Sequence, residues 1–321
     1  MNEVFKEEPL LAIVLATDTV ERVSVVIESL KAQTIADRIE LVLVTNASVD
    51  EREASHVAKG LHSLQLIPVP SVNPLSVARA QGVRAARSPY VFIAETHAYP
   101  DADLAEKMVN LLSGEWDVVV PGFRNANPIS GLSWAGFLSD YGAWSRQLPA
   151  GEIDRSPSHD AGFRRQVLLD FGDRLDAALT FGDELFLTLR SKGRRCYFDS
   201  TAGIQHVNIN RFGSFVRERY LSGVLIGGYR SSRWTLGRRL FYAAASPLIP
   251  FVILSRIQRG IREAARRETL PATTMPAIVV GVILKAAGEM RGYLFGASES
   301  AEEGMTAFEV KKLVFNGDQE D

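Results

Sequence analysis

Short hydrophobic runs alternate with polar turns along the first third of the chain. Apolar runs cover residues 10–16, 39–44 and 90–94, and a more mixed run covers 64–69, each with the length of a buried strand. Between the first two runs, apolar side chains recur at helical spacing over residues 23–30. The repeated order of strand, helix and strand predicts an α/β fold with a doubly wound, mostly parallel sheet.

The pattern changes after residue 100. Residues 103–112 have the pattern of a helix and 116–121 that of a short strand, whereas 122–157 is rich in Gly, Asn, Pro, Ser and Trp. This composition predicts a long functional loop. Its aromatic side chains either stack on an acceptor or anchor the loop by burial. They are Trp134, Tyr141 and Trp144.

Two apolar segments, 240–254 and 276–287, mark the last third of the chain. The first is interrupted by Pro247 and Pro250, and each is shorter than the roughly 20 residues that a straight membrane-spanning helix needs. A strongly basic stretch, 256–267, lies between them. The pattern favours helices that lie in the plane of a membrane or re-enter it over helices that span it. A contact with another domain or with an oligomer partner is the alternative.

Charge divides the chain in the same way. The formal net charge is only −2, but residues 211–291 carry 14 Lys or Arg against four Glu, a balance of +10 that leaves −12 for the remainder. The basic part indicates an anionic partner. Because its basic residues alternate with long apolar runs and not with stacking aromatics, an anionic membrane surface is favoured and a nucleic acid is not. We expect an α/β domain at 1–215 and a basic, mainly helical region at 216–321.

Two further features indicate the compartment. Cys196 is the only cysteine, so no intrachain disulfide can form, which fits a reducing environment. Residues 1–9 are acidic and lack the basic start of a secretory signal. With the apolar and basic C-terminal region, these features predict a location at the cytoplasmic face of the cell membrane, through peripheral or re-entrant segments.

The strongest chemical signal is the triplet Glu95-Thr96-His97, which directly follows the apolar run 90–94 and precedes Pro100. Pro100 opposes further sheet pairing, so the triplet lies at the carboxyl end of a strand, where open α/β sheets bind ligands. Glu95 and His97 offer one oxygen and one nitrogen ligand on the same side of an extended chain. The triplet predicts a site for a divalent metal and a nucleotide diphosphate. A charged junction between strand and loop is the alternative.

The order of the motifs resembles that of the family 2 glycosyltransferases with a GT-A fold, over roughly residues 10–215. The matching segments are LAIVLAT at 11–17, ESLKAQT at 28–34, VTNASVD at 44–50, SVARAQGV at 76–83, ETH at 95–97 with Pro100, and GDEL at 182–185 with Leu189 and Gly193. Gly288-Glu289 with Gly292-Tyr293 is similar to the membrane-associated tail of some members.

This resemblance implies transfer of a sugar from a nucleotide-sugar donor to an acceptor hydroxyl, with inversion. Glu95 and His97 stand where the family usually has an Asp-x-Asp metal motif, so the implied cofactor is Mn²⁺ or Mg²⁺. His206 matches a histidine that members often place near the diphosphate or the metal, and a neutral histidine in a turn is the alternative. The implied nucleotide-site residues are Thr17, Asp18, Asn46, Arg79 and Glu95. Arg79 would clamp the diphosphate or the base with its planar guanidinium, and a solvated charge on a helix face is the alternative. Thr45 stands where the family commonly has Asp.

An inverting transfer needs a general base for the acceptor hydroxyl, and Asp183 and Glu184 are the candidates. Asp183 is favoured, because Glu184 is also well placed to stabilise the start of a helix. His159 and Asp160 match a family loop and are expected to line the acceptor side or to cap a loop. The acceptor is expected to be a lipid-linked or envelope glycan, and oligomers are possible. The alternative function is a catalytically silent GT-A domain that serves as a membrane-bound scaffold or binding subunit.

Overall fold

The computed structural model describes residues 8–47, 49–180 and 182–317, without the side chains of 182–184. Contacts within the chain divide it into two units. The first comprises Met1–Gly122 and Pro149–Ile204, and the second comprises Phe123–Leu148 and Gln205–Asp321. The boundary predicted at 215 stays a prediction.

The described residues form nine strands in one sheet, and eight of them follow the order β3-β2-β1-β4-β8-β6-β9-β5, with β7 paired to β9. Their bounds are β1 Leu11–Thr17, β2 Ile39–Asn46, β3 Ser63–Val69, β4 Tyr90–Ala94, β5 Ala98–Pro100, β6 Val118–Asn125, β7 Gly151–Ile153, β8 Ala161–Arg164 and β9 Cys196–His206. Strands β3, β2, β1 and β4 pair in parallel, and β8 pairs antiparallel with both β4 and β6. This confirms the predicted α/β sheet, whose second half is mixed.

Helices pack around the sheet and form most of the C-terminal part. Their bounds are α1 Ser24–Lys31, α2 Glu51–Val57, α3 Leu75–Ala85, α4 Leu104–Ser113, α5 Gly131–Asp140, α6 Arg165–Leu169, α7 Leu175–Thr180, α8 Gly182–Ser191, α9 Phe212–Arg230, α10 Leu236–Ala245, α11 Ile249–Arg267, α12 Thr274–Phe295, α13 Glu299–Val310 and α14 Lys312–Asn316. Short 3₁₀ turns cover Glu21–Val23, Ala36–Arg38, Gly142–Trp144, Gly172–Arg174 and Ser246–Leu248. The region after β9 is therefore mainly helical, as predicted.

The prediction of a long loop at 122–157 is wrong, because α5 occupies its centre. The Ser130 hydroxyl accepts a hydrogen bond from the Ser133 amide and caps this helix. The small residues that suggested a loop serve close packing instead: a Cβ on Gly131 would lie 2.2 Å from the Thr273 hydroxyl oxygen. Of the two readings of the aromatic side chains, burial holds for Trp134 and Tyr141, which are 5% and 6% exposed.

The carboxyl ends of the parallel strands bring three predicted site segments to one edge of the sheet. Thr17 at the end of β1 lies opposite Thr45 near the end of β2. Leu15 of β1 lies opposite Ala94, the last residue of β4, so Glu95 follows at the same edge. The sheet register therefore places the residues after β1, β2 and β4 side by side.

In the second unit, α9 and α12 pack closely through glycines. A Cβ on Gly223 of α9 would lie 2.1 Å from the Lys285 carbonyl oxygen, and one on Gly288 of α12 would lie 2.2 Å from the Tyr220 carbonyl oxygen. Side chains at these positions would collide with backbone, so the two helices can approach only because both carry glycine. Ile278 of α12 is completely buried. One apolar face of the segment 276–287 therefore packs against α9 within the protein.

We expect Gly288→Ala to lower the free energy of unfolding by about 1–3 kcal/mol or more, because the added methyl group has no space against the backbone of α9. Gly213→Ala is the matched control: it lies in α9, and its Cβ would meet no heavy atom within 4 Å. There the gain in helix propensity makes the change neutral or stabilising by up to about 1 kcal/mol. Urea unfolding of both variants measures the difference, and equal stabilities would contradict the close approach.

A buried charge cluster joins α5 to α9. The Arg219 guanidinium donates to Asp140 Oδ1 at 3.0 Å and to Glu218 Oε1 at 2.7 Å. Burial alone would raise the pKa of Asp140, but the positive charge and hydrogen bonds of Arg219 outweigh it and hold that pKa at about 2. Asp140 is therefore ionised at neutral pH, and the cluster fixes α5 as a structural element.

Two prolines do not break the helical stretch that follows α9. Pro247 lies in the 3₁₀ turn Ser246–Leu248 and Pro250 in the first turn of α11, where a missing amide hydrogen is tolerated. Within the described part of the chain, Leu236–Arg267 is consequently one helical stretch of 32 residues that is long and apolar enough to cross a membrane, judged by length and composition. The assumption that this segment is too short to span is wrong.

Candidate functional site

A buried carboxylate lies at the centre of the sheet edge. Strand β4 ends at Ala94, so the next residue, Glu95, projects from the carboxyl edge and is only 3% exposed. Arg79 of α3 is buried as well, and its guanidinium donates to Glu95 Oε1 at 3.0 Å. A carboxylate is tolerated at such depth because a paired cation compensates for lost hydration. Two of the residues predicted to form the nucleotide site therefore hold each other in place.

Two histidines flank the same carboxylate. His97 Nε2 is 3.5 Å from Glu95 Oε2, and His159 Nε2 is 3.4 Å from Glu95 Oε1. The His97 side chain is fully buried, whereas that of His159 is 25% exposed. The Thr96 hydroxyl lies 3.3 Å from His97 Nδ1. The carboxylate therefore has imidazole nitrogens beside both of its oxygens.

His206 completes the group. It is the last residue of β9, a strand of the same sheet, and it is 1% exposed. One potential ligand atom from each of Glu95, His97 and His206 lies within 4.8 Å of the other two. The structure thus brings together the three residues predicted to bind a metal.

This group of side chains fits a divalent cation. Ligands on opposite sides of one small ion, each about 2.0–2.2 Å from it, are about 4.4 Å apart, so a small closure of the group would let all three bind. Two imidazoles and one carboxylate suit a transition metal such as Mn²⁺ better than Mg²⁺, which prefers oxygen ligands. Arg79 balances the charge of Glu95, so these residues offer little net negative charge to a lone cation.

The residues predicted to contact the nucleotide differ in whether their side chains already have hydrogen-bond or ion-pair partners within the protein. The Thr17 hydroxyl donates to the Thr19 carbonyl oxygen at 2.8 Å, and Asp18 pairs with Arg22 at 2.8 Å. Thr45 Oγ1 and Asn46 Oδ1 are buried and have no hydrogen-bond partner among the described residues. Buried polar atoms of this kind usually bind water or a ligand, which makes the end of β2 the most open position for a polar group of a nucleotide.

His159 lies beside Glu95. Its expected place on the acceptor side stays a prediction. The contact with Glu95 follows from the sheet register: Ile93 of β4 pairs antiparallel with Ala161 of β8, which carries the preceding residues alongside those that follow β4. The neighbouring Asp160 is fully buried with φ of 48°, a left-handed conformation that Asp adopts more readily than most residues. The polar run Ser-His-Asp before β8 is the only sequence signal of this arrangement.

The side chains proposed as the general base are not among those that the structure describes. Helix α8 begins at Gly182, as the sequence pattern predicted, but the side chains of Asp183 and Glu184 are not described. Their assignment as base and helix-stabilising carboxylate stays a prediction.

Solved structures provide one comparison. S. aureus TarS matches with 12% identity and a TM-score of 0.47, over 89% of this chain and 55% of that chain. S. aureus TarS 1-349 in complex with UDP matches with 13% identity and a TM-score of 0.48, over 92% of each chain. The mannosyltransferase PcManGT from Pyrobaculum calidifontis, in complex with GDP-Man and Mn²⁺, matches with 17% identity and a TM-score of 0.47, over 96% of this chain and 88% of that chain. This chain therefore spans just over half of the first structure.

Sequence comparison assigns the family. No curated protein matches the chain significantly. The sequence profile described as glycosyl transferase family 2 matches residues 12–171, which run from β1 to the end of the segment after α6 and include the buried carboxylate with its flanking histidines His97 and His159. Through these residues the chain belongs to glycosyl transferase family 2.

Proposed function

We propose that this protein is an inverting glycosyltransferase that moves a sugar from a nucleoside diphosphate donor to an acceptor hydroxyl, with a divalent cation at Glu95, His97 and His206. The observation that carries the proposal is the buried group of these three side chains at the carboxyl edge of the sheet. Membership of family 2 agrees with this chemistry, because its members are glycosyltransferases.

The arrangement around Glu95 explains how donor and cation would depend on each other. A bound cation would stabilise the negative charge that develops on the leaving diphosphate. Because Arg79 balances the charge of Glu95, the protein ligands alone attract a cation weakly, and the diphosphate supplies the missing negative charge. Binding of donor and cation is then mutually reinforcing, by linkage. The two-histidine ligand set favours Mn²⁺ over Mg²⁺.

The remaining residues take supporting roles in this proposal. Asn46 and Thr45, whose side-chain oxygens lack a partner among the described residues, are placed to receive polar groups of the nucleotide, beside Thr17 and Asp18. Asp183 is the favoured base for the acceptor hydroxyl, and Glu184 is the alternative. The partly exposed His159 lies beside Glu95 and is accessible to the reacting groups.

A screen of nucleotide sugars by thermal unfolding, with Mn²⁺ and with EDTA, tests the proposal. A ligand that binds the native state raises Tm by mass action, and a donor at 100 times its Kd adds about 2.7 kcal/mol to the unfolding free energy. We expect one nucleotide class to raise Tm, and to do so more strongly with Mn²⁺. Binding without any turnover of the donor would favour the silent scaffold, and no shift with any donor would contradict nucleotide-sugar binding.

We also propose that the C-terminal region binds the anionic cytoplasmic face of a membrane, where the acceptor is a lipid-linked or envelope glycan. The apolar ridge, defined as Leu240, Phe241, Leu248, Phe251 and Val252, consists of side chains that are 44–71% exposed. Single exposed apolar residues are common on protein surfaces, but several large ones along one helical stretch are typical of a site that binds a membrane or a partner.

Basic residues follow directly on the apolar ridge. From residue 256 to its end, α11 carries five arginines, at 256, 259, 262, 266 and 267. A helix that is apolar at one end and basic at the other suits the boundary between acyl chains and anionic headgroups. This supports an in-plane or re-entrant arrangement, although the length of Leu236–Arg267 also allows a span.

A further inference from the structure

We infer that Asn208 is a positioning residue that fixes His206 in the tautomer with hydrogen on Nδ1 and thereby presents Nε2 to the cation. The binding of a metal by His206 rests on the proposed function, whereas the tautomer of His206 follows from hydrogen bonds alone. Asn208 Oδ1 lies 3.1 Å from His206 Nδ1. Both residues are buried, with exposures of 4% and 1%. A hydrogen bond made by one ring nitrogen determines which nitrogen carries the hydrogen.

The orientation of the Asn208 amide follows from its other contacts. Its Nδ2 donates to the His206 carbonyl oxygen at 3.0 Å and to Asn125 Oδ1 at 3.0 Å. A backbone carbonyl oxygen can only accept, so reversing the amide would set two acceptors against each other. Oδ1 must therefore face the ring. Since an amide oxygen only accepts, the facing Nδ1 must be the donor.

The backbone of Asn208 is held just as firmly as its side chain. Its amide donates to Asn127 Oδ1 at 2.9 Å, and its carbonyl oxygen accepts from Asn127 Nδ2 at 2.7 Å and from Asn316 Nδ2 at 3.0 Å. The ring of Tyr141 lies against the imidazole, with centroids 4.2 Å apart. The contact with Tyr141 and the hydrogen bond to Asn208 together hold the His206 ring in one orientation.

This arrangement matters for a metal because a neutral imidazole binds through the nitrogen that carries no hydrogen. With hydrogen on Nδ1, the lone pair resides on Nε2. Partners that orient a metal-binding histidine in this way typically contribute 10- to 100-fold to metal affinity, about 1.4–2.7 kcal/mol. The hydrogen bonds that Asn208 makes with Asn125, Asn127 and Asn316 therefore orient a metal ligand without contacting the reacting groups.

The test compares Asn208→Ala with Asn316→Ala. Both substitutions remove hydrogen bonds from the same segment, but only the first removes the partner of His206 Nδ1. Long-range ¹H–¹⁵N spectra of the metal-free full-length protein report the tautomer, with the His206 signals identified by their loss in His206→Gln. Electron paramagnetic resonance of Mn²⁺, with a nucleoside diphosphate present, reports the affinity.

We expect the wild type and Asn316→Ala to carry the hydrogen on Nδ1, and Asn208→Ala to contain both tautomers and bind Mn²⁺ about 10- to 100-fold more weakly. Hydrogen on Nε2 in the wild type overturns the inference, and this spectrum needs no variant to fold. Equal loss of Mn²⁺ affinity in both alanine variants overturns the positioning role. If the wild type has hydrogen on Nδ1 but binds no Mn²⁺, the proposed metal function fails while the tautomer assignment stands.

Discussion

Glu95→Gln is expected to lower kcat/KM for sugar transfer by about 10²–10³-fold, because it removes the single charged ligand of the cation and with it the stabilisation of the leaving diphosphate. The substitution preserves the shape of the side chain but leaves Arg79 buried at 7% exposure without its charge partner. Breaking a buried pair in this way also costs about 3–5 kcal/mol of stability. Initial rates of donor consumption and urea unfolding measure the two effects separately.

A double variant separates chemistry from stability. Arg79→Met with Glu95→Gln removes both charges, so we expect it to regain much of the stability that Glu95→Gln loses. Transfer should stay low, because the metal ligand is still absent and Arg79 is itself one of the residues expected to bind the nucleotide. Recovery of activity together with stability would contradict a chemical role for Glu95, since it would show that folding alone limits the single variant.

Phe241→Glu with Phe251→Glu is expected to weaken binding to anionic liposomes by about 10²–10⁴-fold. Each phenylalanine is exposed, at 68% and 71%, and burying such a side chain contributes about 1.5–3 kcal/mol. Flotation with vesicles rich in phosphatidylserine measures the partition. The full-length chain is used, because α9 and α12 pack against each other and truncation would expose that contact.

Ile129→Glu is the matched control for this experiment. Ile129 is also an exposed apolar residue, at 79%, but it lies outside the apolar ridge. We expect it to bind liposomes like the wild type. Equal binding of the double variant and the wild type would contradict a membrane role for the ridge, and equal losses in the double variant and Ile129→Glu would show a nonspecific effect of added negative charge.

The parallel half of the sheet is predictable because its strands are buried on both faces. Strands β1, β2 and β4 leave continuous apolar runs in the sequence, and their observed bounds differ from the predicted ones by at most two residues. The same logic located Glu95, because a buried run that ends in a carboxylate must end at the sheet edge. The GT-A family assignment followed from the order of such segments and is confirmed by the family match.

Other features depend on tertiary contacts that leave little pattern in the sequence. Helix α5 is rich in small residues because Gly131 and its neighbours pack against α12, and that composition is typical of loops. The contact of His159 with Glu95 depends on the insertion of β8 between β4 and β6, an order that the chain does not follow. Likewise, Pro247 lies in a 3₁₀ turn and does not end the helical stretch. A length estimate that treats each proline as the end of a helix is therefore too short for this stretch.

The central claim is that Glu95, His97 and His206 hold a divalent cation against the diphosphate of a sugar donor. Crystals grown with Mn²⁺ and the nucleoside diphosphate of the donor identified by thermal unfolding test it most directly, with anomalous diffraction recorded at the manganese edge. The account predicts one anomalous peak within coordination distance of these three side chains and of the diphosphate oxygens. A bound nucleotide with no peak there, or with Mn²⁺ held by other residues, would contradict it.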